Sequence, residues 1–280
     1  MRDVDVSVIE KEVKDLCIKA NTVLRNDMLK AIKNAYDQET EEKAREMLGI
    51  LLENAEIAEK EMLPICQDTG MVAIFLEIGK DVAIKGGNLN DAINRGVSEA
   101  YAEGCFRNSV VEDPIKRKNT GNNTPAVLHT EIVDGEKIEI SVIPKGFGAE
   151  NKSKMAMLNP TAGKKEIVDF CVETVKTAGP DACPPYVMGI GLGGTMEMSA
   201  YLAKKALLRS IDEANPKEHI AELEKEIKDK CNALNIGVMG LGGGATVLGV
   251  GILEAPTHIA GLPITINICC HALRSASRKL

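Results

Sequence analysis

The chain has 280 residues and a formal net charge of −7, with 44% apolar residues, 3% aromatic residues and no Trp. That acidity argues against the basic face of a general nucleic-acid binder, and no run of about 18 apolar residues exists to cross a bilayer. The N-terminal residues lack the apolar core of a secretion signal, so the expectation is a cytoplasmic protein whose core is built from Ala, Val, Ile, Leu and Met.

Residues 4 to about 61 show apolar positions three and four apart, the spacing of helices with one buried face. Cys17 falls on that face and reads as core. Pro64 ends the helical pattern, and the apolar run Met71 to Ile78 reads as a strand. Asn88 or Asn90 is placed to cap a helix running to about Glu103. A long polar segment follows, from Phe106 to Pro125, of a length that argues for function. Ala126–Glu131 and Lys137–Ile143 flank Asp134-Gly135, which predicts a hairpin. Helices are expected over 164–176, 196–209 and about 217–233, and strands over 245–252 and 262–268. This order predicts a mixed α+β fold. Residues 1–62 would form a helical segment and 63–280 a β-sheet core flanked by helices, together a single domain.

Two glycine-rich runs recur, Val187–Thr195 and Val238–Thr246. The first contains G-x-G-x-x-G at Gly189, Gly191 and Gly194, which raises a nucleotide-binding module as a reading of another class. Pro184-Pro185 immediately before it leaves space for only a very short strand, which weakens that reading. Close approach of an anion or a cluster is the other role open to these glycines.

Eight cysteines are present, at 17, 66, 105, 171, 183, 231, 269 and 270, with no C-x-x-C pair. A cytoplasmic chain of this size does not need disulfides. Cys66, Cys183 and the Cys269-Cys270 pair each sit beside turn residues. Cys17, Cys171 and Cys231 sit inside helical patterns. In the first loop, Cys66-Gln67-Asp68-Thr69-Gly70, a thiol, an amide, a carboxylate and a hydroxyl crowd one junction, as at many functional loops. The plain alternative is a half-buried thiol followed by a turn. Three thiolates from separate loops suit an iron–sulfur cluster, with one iron left open as a Lewis acid.

At this point the motifs carry a family likeness. They are Cys66-Gln67-Asp68-Thr69-Gly70, Arg107-Asn108-Ser109 with Asp113-Pro114, Asn119–Ala126, Lys145–Lys152, Cys183-Pro184-Pro185 with Gly191–Thr195, Thr257–Ala260, and Cys270 with Ala272 and Arg274. The chain resembles the alpha subunit of the class I, iron–sulfur-dependent fumarases and tartrate dehydratases. The resemblance implies a [4Fe–4S] cluster on Cys66, Cys183 and Cys270. Counting back from Ala272 selects Cys270, with Cys269 the alternative. It implies that Gln67 and Asp68 lie against the substrate, with Asp68 handling the proton of the departing hydroxyl. Arg107 would take a substrate carboxylate, and His258 would bind substrate or orient Asp68. Gly146, Gly148 and Lys152 would close on the substrate. The implied reaction is reversible dehydration of (S)-malate to fumarate, a tricarboxylic acid cycle step, with L-tartrate as the alternative substrate. In single-chain relatives a second domain completes the site. Here a separate beta subunit is expected to do so, in a dimer of alpha–beta pairs, and the chain alone is expected to be inactive. Two departures stand out: His271 occupies a position where the family has Trp, and Phe147 one where Gly is common.

Overall fold

The computed structural model describes residues 1–280. It opens with strand β1 (Arg2–Asp5) and helices α1 (Val6–Thr22), α2 (Asn26–Gln38) and α3 (Glu42–Glu61). Strands β2 (Met71–Gly79) and β3 (Val82–Lys85), helix α4 (Leu89–Glu103) and strands β4 (Val127–Val133) and β5 (Ile138–Lys145) follow. After them come a single helical turn α5 (Phe147–Glu150), strand β6 (Lys154–Leu158), helix α6 (Lys164–Ala178), strand β7 (Tyr186–Gly193) and helices α7 (Met196–Ala206) and α8 (Glu218–Asn232). Strands β8 (Val247–Ala255), β9 (Leu262–Cys269) and β10 (Ala276–Lys279) complete the chain. The α+β class expected from the sequence is the one observed. The chain forms two compact units, one of Met1–Arg25, Asn54–Phe147 and Arg274–Leu280, the other of Asn26–Glu53 and Gly148–Leu273.

The first unit holds a four-stranded sheet in the order β10-β5-β2-β4. Its core follows from period-two patterning. Val72, Ile74, Leu76 and Ile78 of β2 and Ile138, Ile140 and Val142 of β5 face one way. They meet Ile9, Val13 and Leu16 of α1 and Ile93, Val97 and Tyr101 of α4. Burying each such aliphatic side chain contributes about 1.5–3 kcal/mol. Both helices are capped by side chains: Asp5 accepts from the Ser7 N–H, and Asn88 from the Asp91 N–H at 3.2 Å. The expected hairpin is not formed. β4 and β5 do not pair with each other, because β2 lies between them, parallel to β4 and antiparallel to β5. β2 is buried along nearly its whole length, so it takes the central place where both faces are covered. The Asp134-Gly135 connection instead bonds to the end of β2, with the Lys80 N–H on the Val133 carbonyl and the Asp81 N–H on the Gly135 carbonyl. The N-terminal residues also begin as a strand, β1, paired in parallel with β3.

The second unit has a sheet in the order β6-β9-β7-β8, with β7 parallel to β8 and antiparallel to β9. Tyr186, Met188 and Ile190 of β7 pack with Val168, Cys171 and Val175 of α6 and Ile227 and Cys231 of α8. The alternate positions, Gly189 and Gly191, face α7. A Cβ at Gly191 would lie 1.9 Å from the Ser199 carbonyl oxygen, and one at Gly189 2.1 Å from that of Ala203. The very short strand expected after Pro184-Pro185 is therefore a full one of 8 residues. Its G-x-G spacing is the period-two face on which a helix backbone rests directly.

Candidate active site

In the first unit, the loop after α3 is pinned at Ile65. The Ile65 N–H donates to the Asn21 carbonyl at 2.9 Å, and Asn54 Nδ2 donates to the Ile65 carbonyl at 2.9 Å. Cys66 follows, partly exposed, then Gln67, exposed. The next three carbonyls are each held by a buried side chain from a different element. Arg274 Nη2 donates to the Asp68 carbonyl at 2.6 Å. The Tyr101 hydroxyl of α4 donates to the Thr69 carbonyl. Asn123 Nδ2 donates to the Gly70 carbonyl at 3.0 Å. Thr69 Oγ1 in turn donates to the Arg107 carbonyl at 2.8 Å. Gly70 has φ 76°, and a Cβ there would stand 2.7 Å from the Lys145 backbone nitrogen, so only glycine makes this turn.

The Asp68 carboxylate is fixed by this frame. Oδ1 accepts from the Gly70 N–H at 2.9 Å and Oδ2 from the Phe147 N–H at 2.9 Å. Gly146 is tight against it: a Cβ there would sit 3.1 Å from Asp68 Oδ2. A carboxylate held by two backbone donors is oriented for one task. The guanidinium of Arg107 is exposed. Arg274 and Lys145 are each 2% exposed, and Arg274 also reaches Asn21 Oδ1. The framing roles of Arg274, Tyr101 and Asn123 were not legible in the sequence. The only signals were Arg274's place two residues after Ala272 in the Cys270 motif and Asn123's place in the Asn119–Ala126 motif.

The second unit carries the other thiols. Cys183 is exposed and adopts a left-handed backbone at φ 54°. Cys270 lies just beyond the end of β9, partly exposed, whereas Cys269 is 5% exposed and paired in the ladder with Val187. The Cys183 and Cys270 loops are tied together. The His271 N–H donates to the Cys183 carbonyl at 3.4 Å, and His271 Nδ1 lies 3.2 Å from the same oxygen. Both thiols approach Tyr186. Burial first, with those neighbours adding, raises its hydroxyl well above the ordinary phenol range. Lys152 Nζ pairs with Asp181 Oδ2 at 3.0 Å and Gly148 has open space around it. His258 is exposed in the turn after β8, where its Nδ1 accepts from the Ala260 N–H at 3.1 Å.

The eight cysteines are all free. Burial drives the thiols of Cys17 and Cys171 far up and that of Cys231 to about 12, which unsuits them as thiolates. Cys66, Cys183 and Cys270 retain solvent access, so their donor chemistry fits a thiolate-ligated iron–sulfur group. No group of three or more His, Cys, Asp or Glu side chains is gathered so as to hold a single metal ion. The second glycine-rich run offers no phosphate cradle. Its N–H groups at Gly240, Leu241 and Gly242 go to the carbonyls of Gly237, Val238 and Ile236, that of Gly243 to Asn235 Oδ1 and that of Gly244 to Glu39 Oε2.

The chain is thus an α+β protein with a carboxylate held by two backbone donors and solvent-accessible thiols on separate loops. Residues 10–279 match the family model described as Fumarate hydratase (Fumerase), so the chain belongs to that family and is a hydro-lyase. A protein of Methanocaldococcus jannaschii, provisionally named L(+)-tartrate dehydratase subunit alpha, is 42% identical over 279 residues, 97% of each chain. The L(+)-tartrate dehydratase subunit alpha of Escherichia coli strain K12 is 30% identical over 272 residues, 96% of this chain and 89% of its own.

Proposed function

We propose that the chain is the alpha subunit of a two-subunit dehydratase acting on L(+)-tartrate, with a beta subunit completing the site. The observation that carries this reading is the similarity along 97% of the chain to a relative named for that substrate and subunit. Dehydration of (S)-malate is the second reading, favoured by the description of the family model. The two substrates differ by one hydroxyl.

Cys66, Cys183 and Cys270 would hold a [4Fe–4S] cluster. The solvent access of Cys270 against the buried Cys269 supports Cys270 as the third ligand, and the left-handed backbone of Cys183 is the kind of outlier that gathers at functional sites. Bound there, the cluster supplies Lewis-acid help to a hydroxyl that is otherwise a poor leaving group. The chain's own residues orient the substrate and manage protons. Asp68, held by the Gly70 and Phe147 N–H groups, would take the proton relations of the departing hydroxyl. Arg107 would grip one carboxylate through its planar fork. Gln67, Gly146 and Gly148 would line the substrate, with His258 as a further hydrogen-bonding group. Lys152, bridged to Asp181, would contribute by steadying the stretch before Cys183 rather than as a free cation. The base that removes the C3 proton would come from the beta subunit, in a cytoplasmic dimer of alpha–beta pairs.

The test is a substrate panel on the anaerobically reconstituted complex. Loss of water from tartrate gives an enol that becomes a 2-oxo diacid, trapped as a hydrazone. Loss from malate gives fumarate, seen directly by absorbance. Higher kcat/KM on malate would replace the first reading with the second. Activity on neither would reject both. Asp68→Asn should cut kcat by about 10²–10⁴-fold, Cys66→Ser should abolish turnover, and the chain without partner should be inactive.

A further inference from the structure

In the second unit, lined by none of the residues assigned above, a crevice of about 370 Å³ opens between α2, α8 and the start of β8. That volume lies within the range of small-molecule pockets. Asn34 and Gln38 stand one turn apart on α2 and line one side, and Lys228 of α8 lines another. Val247 and Leu248, both buried, provide an apolar floor.

The charges around the crevice are unequal. Glu39 accepts the N–H groups of Thr40 and Glu41 on Oε1 and that of Gly244 on Oε2, so its carboxylate is satisfied internally. Asp212 pairs with Lys30 at 3.4 Å. Asn232 takes the Thr246 and Val247 N–H groups and donates to the Val247 carbonyl. Lys228 is different. It is half-buried and makes no ion pair, and burial lowers its ammonium from the ordinary lysine value, partly offset by the neighbouring Asp229. A half-buried cation with only a nearby opposing charge is completed by an anion that bonds it directly. The glycine turn beside it has its N–H groups occupied, which disfavours phosphate.

We propose that this crevice binds a small monocarboxylate with a short aliphatic body. The carboxylate would pair with Lys228 and take hydrogen bonds from the Asn34 and Gln38 amides, and the carbon chain would lie over Val247 and Leu248. A single cation and an apolar floor fit one carboxylate better than the dicarboxylates of the proposed reaction.

The experiment titrates butyrate into the full chain by saturation-transfer NMR, with inorganic phosphate as a competitor read by its displacement of butyrate. Saturable butyrate binding is expected, weakened at least about tenfold in Lys228→Met, since a charge-assisted bond is worth 1.4 kcal/mol or more. The Asn34→Ala/Gln38→Ala pair should also weaken it, and Asp68→Asn should leave it unchanged. Melting curves confirm that each variant is folded. Absence of saturable binding, equal binding by Lys228→Met, loss in Asp68→Asn or tighter binding of phosphate would each overturn the proposal. Because Asp68→Asn is read in the same titration, failure here is separate from failure of the hydro-lyase assignment's substrate.

Discussion

Asp68 shows how a common residue type becomes a specific instrument. Its side chain is placed by two backbone donors, and its own carbonyl by Arg274, a residue 206 positions away in sequence. The three carbonyls from Asp68 to Gly70 would be unsatisfied inside the protein without Arg274, Tyr101 and Asn123, and an unmet buried acceptor costs about 1–3 kcal/mol. Tyr101→Phe removes one hydroxyl and leaves the ring contact with Phe106 in place. It should lower the unfolding free energy by about 1–2 kcal/mol in urea titrations, and lower kcat more than it raises KM if the loop positions Asp68. An unchanged urea midpoint would mean that the Thr69 carbonyl finds water instead.

At the scale of elements, the lesson lies in β7. Glycines at every second position let α7 lie against the strand, and a methyl group has nowhere to go. Gly191→Ala, with its Cβ 1.9 Å from the Ser199 oxygen, should destabilise by about 1–3 kcal/mol or more, read as a fall in Tm. Gly148→Ala meets no atom within 4 Å, so its stability should stay within about 0.5 kcal/mol of the parent. That makes it a clean probe of whether the α5 turn approaches substrate: a rise in KM without a fall in Tm is the expected result. The same motif letters thus serve packing at one position and, as proposed, binding at another.

For the whole molecule, pH should act through buried thiols. Cys17, Cys171 and Cys231 are held protonated by burial, Cys231 up to about 12 against an ordinary value of 9.0. In the unfolded chain they ionise near their ordinary value. Folding stability is therefore intact below about pH 9 and falls as pH rises toward the folded value, by about 1.4 kcal/mol per thiol per pH unit. Urea midpoints at pH 8 and pH 10 should show the fall, and Cys231→Ala should flatten its slope. A slope that Cys231→Ala leaves untouched would assign alkaline unfolding to other groups.

Read by itself, the sequence determined the periodicities, and with them most helices, the long central strands and the separation of helical from loop cysteines, because these depend on local alternation and burial. Its motifs also carried the family. Only the tertiary structure decided which strands are neighbours, as when β2 parts β4 from β5. It alone assigned Gly189 and Gly191 to helix packing, and it alone brought Arg274 to Asp68. Those outcomes are contests between segments distant in the chain. The most buried strand or the best-satisfied polar group wins them, and no local pattern records the winner.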